Sequence, residues 1–138
     1  DIVGDGAERQ MLNHLCNELA LTDRVRFVGF QSNPYGWMKT ADALLLTSDY
    51  EGAPNVVLEA LALGTPVIST PAIGGVREML AGQPGCIVSE ASTFESFAKA
   101  MIDWLSLENK AASKQAVSNY AAARIARHYE DQFLGLTS

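Results

Sequence analysis

The sequence has few of the residues on which disulfide-bonded, metal-binding and nucleic-acid-binding proteins depend. Two cysteines and two histidines occur in 138 residues. Cys16 and Cys86 fall in an expected helix and an expected strand, without metal-type spacing. They read as buried free thiols of a reducing cytoplasm, not as a disulfide framework. His14 and His128 stand alone on helical stretches, and no histidine is placed to activate a Ser or Cys nucleophile. Basic residues number 10 against 16 acidic ones, giving a net charge of −6 without a basic stripe, which argues against nucleic acid as a partner. Charged residues make up only 19% of the chain, while 48% are hydrophobic, a globular composition with enough length for one domain and its core. No apolar run reaches the length of a membrane span and no signal peptide is visible, so membrane contact would be peripheral or lie outside this chain.

Short strands and helices alternate along most of the chain. Asp1-Ile2-Val3-Gly4 reads as a strand end, followed by a Gly4-Asp5-Gly6 turn into a helix with Met11, Leu12, Leu15, Cys16 and Leu19 at helical spacing. A G-x-G turn permits close approach of a ligand, but alone it is a weak signal. Val25 to Val28 reads as a second strand, Asn33 to Thr40 as a short helix with Trp37 and Met38 in the core, and Ala43 to Thr47 as a third strand. Pro66 to Thr70 and Gly85 to Ser89 follow as strands, with a helix from the Gly74-Gly75 turn through Leu80 between them. Ser92-x-x-Glu95 reads as a capping box, opening a helix whose expected apolar face is Phe94, Phe97, Ala98, Met101, Ile102 and Leu105. A last helix is expected from about Lys110 to His128 or beyond, with Lys110, Lys114, Arg124 and Arg127 on a solvated face. No repeat or linker is visible. The pattern predicts one α/β domain, a Rossmann-like parallel sheet with helices on both faces, whose ligands bind beyond the carboxyl ends of the strands.

The stretch from Ala41 to Thr70 organises the rest. It holds a strand, a polar loop from Ser48 to Pro54 and a helix from Asn55 to Leu63 that Gly64 stops. Apart from Glu59 the helix is apolar all round, which predicts burial. A carboxylate on a buried helix is costly without a partner. Glu59 lies about one turn in and should lean back towards the free N–H groups of the helix start. Those groups favour a phosphate, whereas a carboxylate accepts from hydroxyls. Phosphate and sugar side by side describe a nucleotide. The residues alone leave a second reading open, with Glu59 capping the helix or pairing with an internal Arg or Lys, and Glu51 solvated on the loop.

The run Ser48-Asp49-Tyr50-Glu51-Gly52-Ala53-Pro54-Asn55-Val56-Val57-Leu58-Glu59-Ala60-Leu61-Ala62-Leu63-Gly64-Thr65-Pro66-Val67-Ile68 resembles the E-x7-E motif of family 4 glycosyltransferases, which have the GT-B fold. Ile2 to Arg9, Leu19 to Phe30 and the Gly74-Gly75 turn are similar to the same family. The resemblance implies retaining transfer of a sugar from a nucleotide-sugar donor, such as a UDP- or GDP-sugar, with no metal ion and no other cofactor. By motif order the chain resembles the C-terminal, donor-binding domain. Carried over, Glu51 contacts the donor sugar near the reacting carbon, and Glu59 accepts from the ribose hydroxyls. Backbone N–H groups around Gly52, Ala53, Asn55 and Val56 hold the diphosphate, to which Pro54 contributes none. Phe30 and Gln31 border the base, and the Gly4 and Gly6 turn belongs with the donor-binding candidates.

The family's first strand of this domain, with the Arg and Lys that clasp the diphosphate, is expected before Asp1, and an N-terminal acceptor domain before that. The expectation is a truncated domain that folds but does not catalyse alone, with an exposed sheet edge. The acceptor would be a glycan or lipid-linked molecule, and the full-length protein cytoplasmic with peripheral contact at the inner membrane face. Three rival readings remain at this level. Asp49-Tyr50-Glu51 resembles a weak D-x-D variant of a metal-dependent GT-A-type transferase. A sugar-nucleotide epimerase would share the fold. A non-catalytic nucleotide-binding or subunit-pairing module would need neither glutamate for chemistry.

Overall fold

The computed structural model describes residues 1–52 and 54–121. Backbone contacts gather into two compact units, one over Asp1–Trp37 and one beginning at Met38.

In the first unit, β1 (Ile2–Val3) and β2 (Phe27–Gly29) pair in parallel around α1 (Arg9–Glu18). Arg26 directs its guanidinium to both oxygens of the Asp1 carboxylate at 2.7 Å and lies over the Trp37 ring. The expected apolar stripe of α1 is only partly covered. Leu12 and Cys16 are half-buried, whereas Met11, Leu15 and Leu19 are exposed, because a two-stranded sheet offers little apolar surface to such a stripe. A short helix, α2 (Tyr35–Thr40), follows, and its Trp37 and Met38 are half-buried rather than central to a core.

The second unit is two successive βαβ crossovers. β3 (Leu44–Leu46), β4 (Val67–Ser69) and β5 (Ile87–Val88) form a parallel sheet in that order, connected through α3 (Asn55–Leu63) and α4 (Val76–Leu80). Alternation along β4 sends successive side chains to opposite faces. Val67 joins Val57, Ala60 and Leu61 of α3 and Val76, Met79 and Leu80 of α4 in one core. Ile68 packs on the other face with Ala100 and Trp104 of α5 (Phe94–Leu105). Helices therefore cover both faces of this sheet, as the alternating pattern predicts. Cys86 is a half-buried free thiol whose sulfur accepts from the Val67 N–H at 3.3 Å; burial pushes its pKa up.

Three expectations change in the helical C-terminal part. The cap of α5 is Thr93, not Ser92: its Oγ1 accepts from the Ser96 N–H at 3.2 Å, and the Ser96 hydroxyl accepts from the Ala91 N–H at 3.0 Å. Replacing Thr93 with alanine is expected to lower stability by about 1 kcal/mol, read as a fall in Tm, while Ser92→Ala leaves it unchanged. The buried face of α5 is also not the one expected. Phe94, Ile102 and Leu105 are exposed, and Ala100 and Trp104 are buried. The Trp104 indole N–H donates to the Gly85 carbonyl at 2.9 Å, which turns that side of the helix inward. Finally, Lys110 does not stand free in solvent but lies over the Trp104 ring at 4.7 Å. The chain then forms a 3-10 helix over Lys114–Tyr120 that packs on α3. The remainder of the expected last helix, with Arg124, Arg127 and His128, lies outside the described residues.

Candidate functional site

The carboxyl end of β3 leads into the loop that carries Glu51. Three contacts from the segment after β4 hold this loop. The Thr70 N–H donates to the Leu46 carbonyl at 2.9 Å, and the Thr70 hydroxyl to the Ser48 carbonyl at 2.7 Å. Tyr50 and Ile73 form a parallel bridge, with the Ile73 N–H donating to Asp49 and the Glu51 N–H donating to Ile73. Gly74 adopts a φ of +125°, and a Cβ there would fall inside the van der Waals surface of the Glu51 carbonyl oxygen. Only glycine fits that approach. The Glu51 side chain is fixed in turn: the Ser48 hydroxyl donates to its Oε1 at 2.7 Å, and the residue is half-buried.

From this loop the chain enters α3 through Pro54, which is buried, has extended backbone, and makes no side-chain cap. The Val57 N–H closes on the Pro54 carbonyl at 2.9 Å. The N–H groups of Asn55 and Val56 precede any acceptor within the helix, and neither finds another among the described residues. The helix ends at Gly64 in left-handed backbone, with the Thr65 N–H returning to Ala60 at 2.9 Å, a Schellman-type stop.

Burial of α3 is one-sided: Val57, Ala60 and Leu61 are buried, while Asn55 and Ala62 are exposed. Glu59 is half-buried on the side it shares with Asn55, four residues earlier. Its carboxylate has no hydrogen bond or ion pair among the described residues, and it is not the helix cap. The alternative in which Glu59 caps α3 or pairs with an internal Arg or Lys therefore has no support in these residues. Gly52 is exposed on the same loop, Val56 is half-buried, and Ala53 lies outside the described residues.

Gly4, Gly6, Phe30 and Gln31 belong to the first unit. Gly4 has a φ of +126° and donates its N–H to Gly29 at 2.8 Å. The Gly6 N–H is taken by the Asp5 carboxylate at 2.9 Å, which also accepts from Arg9. Phe30 is 77% exposed and Gln31 half-buried, just past β2. Among the described residues no three His, Cys, Asp or Glu side chains gather as a metal-binding group, and no helix is long and apolar enough to cross a membrane.

Residues of the site that sequence reasoning left without a role are Ser48, Thr70 and Gly74. Ser48 and Gly74 stand in the recognised motifs, but their contacts with Glu51 depend on pairing that sequence spacing does not display.

A sequence profile described as Glycosyl transferases group 1 matches residues 1–124. The chain belongs to that family. The resemblance to GT-B glycosyltransferases and the Rossmann-like α/β class are thereby borne out. LpsD of Rhizobium meliloti (strain 1021), a lipopolysaccharide core biosynthesis glycosyltransferase, is 45% identical over 73 residues, covering 53% of this chain and 21% of its own. The lipopolysaccharide outer core galactosyltransferase WaaB, solved in its apo form, superposes with a TM-score of 0.82 at 26% identity, over 97% of this chain and 40% of that one. HepE of Anabaena, in complex with UDP, shares the fold with a TM-score of 0.78 at 22% identity, over 96% of this chain and 40% of that one. It is also solved with UDP-glucose, a structure that matches with a TM-score of 0.72 at 23% identity over the same shares of the two chains. The chain thus spans less than half the length of the relatives it matches.

Proposed function

We propose that this group 1 glycosyltransferase chain is the donor-binding domain of a retaining, metal-independent enzyme that uses a nucleoside-diphosphate sugar. One observation carries the reading: the half-buried Glu59 carboxylate has no protein partner among the described residues and lies one turn beyond the free N–H groups of Asn55 and Val56. The N–H groups suit the diphosphate and the helix dipole adds to their pull. The carboxylate suits the ribose hydroxyls. Backbone N–H groups around Gly52 and Ala53 are assigned to the same diphosphate.

In the reaction, the bond between the anomeric carbon and the β-phosphate oxygen breaks, and its electron pair leaves with the nucleoside diphosphate. The acceptor hydroxyl oxygen bonds to that carbon on the face the diphosphate leaves, and the hydroxyl proton passes to the departing phosphate oxygen. Negative charge grows on the diphosphate as the bond breaks, and fixed N–H donors at a helix start stabilise it. Glu51 orients the sugar near the reacting carbon. The acceptor is a glycan or lipid-linked molecule, and the setting is cytoplasmic, with peripheral contact at the inner membrane face. HepE, which shares the fold, makes UDP the first nucleotide to test.

The test is nucleotide release by the full-length protein, supplied with UDP-, GDP- or ADP-glucose and lipopolysaccharide-core or polyprenol-linked acceptors in EDTA. An α-linked product from an α-linked donor, formed in chelator, is expected. A β-linked product, or transfer only after adding Mg²⁺ or Mn²⁺, would overturn the mechanism.

A further inference from the structure

We infer that Ser48 is a positioning residue for Glu51 and that Thr70 fixes Ser48, so that sugar transfer depends on a hydroxyl at position 48. The inference rests on the donor-site reading above. Its basis is a two-step relay across the carboxyl ends of β3 and β4. Thr70 is 6% exposed and donates its hydroxyl to the Ser48 carbonyl at 2.7 Å, and Ser48 donates its own to Glu51 Oε1 at 2.7 Å. The Glu51 backbone is already held by the Ile73 pairing. The Ser48 bond therefore adds little to the path of the chain. What it sets is the side-chain rotamer of a flexible carboxylate, whose Oε2 takes no hydrogen bond among the described residues. A bond from a neutral hydroxyl to an ionised carboxylate is among the stronger single hydrogen bonds, and a carboxylate aimed within a fraction of an ångström is what transfer at a sugar carbon requires.

Four variants of the full-length protein separate this from a merely structural role: Ser48→Ala, Ser48→Thr, Thr70→Val and Glu51→Gln. Each is assayed for kcat and KM with UDP-glucose, or with whichever sugar nucleotide the wild type turns over, and for UDP affinity by calorimetry. Ser48→Ala is expected to lose about 10- to 100-fold in kcat, with UDP affinity and Tm unchanged, and Ser48→Thr to regain most of it. Thr70→Val should show a smaller kcat loss, because it frees the Ser48 carbonyl and not the carboxylate. An unchanged kcat in Ser48→Ala, or a loss that Ser48→Thr fails to restore, would overturn the inference. So would a loss in Ser48→Ala matched by an equal fall in UDP affinity, which is the mark of a collapsed loop. Wild-type kcat in Glu51→Gln would instead overturn the underlying role of Glu51.

Discussion

Substituting Gly74 by alanine is expected to cost the full-length protein nearly all of its sugar transfer, with a clear loss of stability. The φ of +125° is one that L-residues rarely adopt, and the new methyl group would meet the Glu51 carbonyl oxygen directly. Backbone strain of that kind costs about 1–3 kcal/mol and overpacking about as much again. Their sum is a large share of the roughly 5–15 kcal/mol that holds a domain together. The flexible partner is the loop, which can swing out only by breaking the Glu51 N–H bond to Ile73 and carrying Glu51 with it. The measurements are Tm and kcat/KM. A control at Gly75, where an added Cβ finds ordinary contact distances, should be far milder. Equal and small effects at the two glycines would show that the loop adapts and that Gly74 does not set it.

Removing the Glu59 carboxylate is expected to have the opposite profile, a large loss of binding without a loss of stability. Glu59→Ala breaks no hydrogen bond or ion pair among the described residues, removes a half-buried charge and installs the best helix former. Tm should stay level or rise. Nucleotide affinity should fall by about 1–3 kcal/mol, the value of charge-assisted bonds to hydroxyls. The ribose assignment has its own control. Replacing UDP by 2′-deoxy-UDP should weaken binding to the wild type but make little further difference to Glu59→Ala, since both changes remove the same contact. Additive losses would place the carboxylate against another part of the ligand, and a fall in Tm would return Glu59 to a structural role.

The helix that carries Glu59 was legible residue for residue. Pro54 and Gly64 punctuate it, and Asn55–Leu63 is helical in the structure. The three strands around it are shorter than the apolar runs suggest, because sheet pairing ends where the chain turns away into the loops that build the site. Periodicity placed α5 but misjudged its orientation. Helical spacing shows which residues share a face, and α5 has apolar residues on more than one. A single tertiary bond, Trp104 to Gly85, decides which packs inward. The same limit explains the supports of Glu51. Ser48 and Gly74 lie in motifs visible in the chain and Thr70 just beyond one, yet their contacts arise only when β3 and β4 pair in register and bring residues 70–74 beside 48–51. The left-handed backbone of Gly74 has no signature beyond being glycine.

On the proposed reading, the loop and helix carrying Glu51 and Glu59 hold the nucleoside diphosphate. A crystal structure of the full-length protein with UDP, or with the nucleotide that binds most tightly in EDTA, tests it most directly. Diphosphate oxygens are expected within hydrogen-bonding distance of the Asn55 and Val56 N–H groups, and ribose hydroxyls on the Glu59 carboxylate. A bound nucleotide that leaves both N–H groups and Glu59 facing solvent would contradict it.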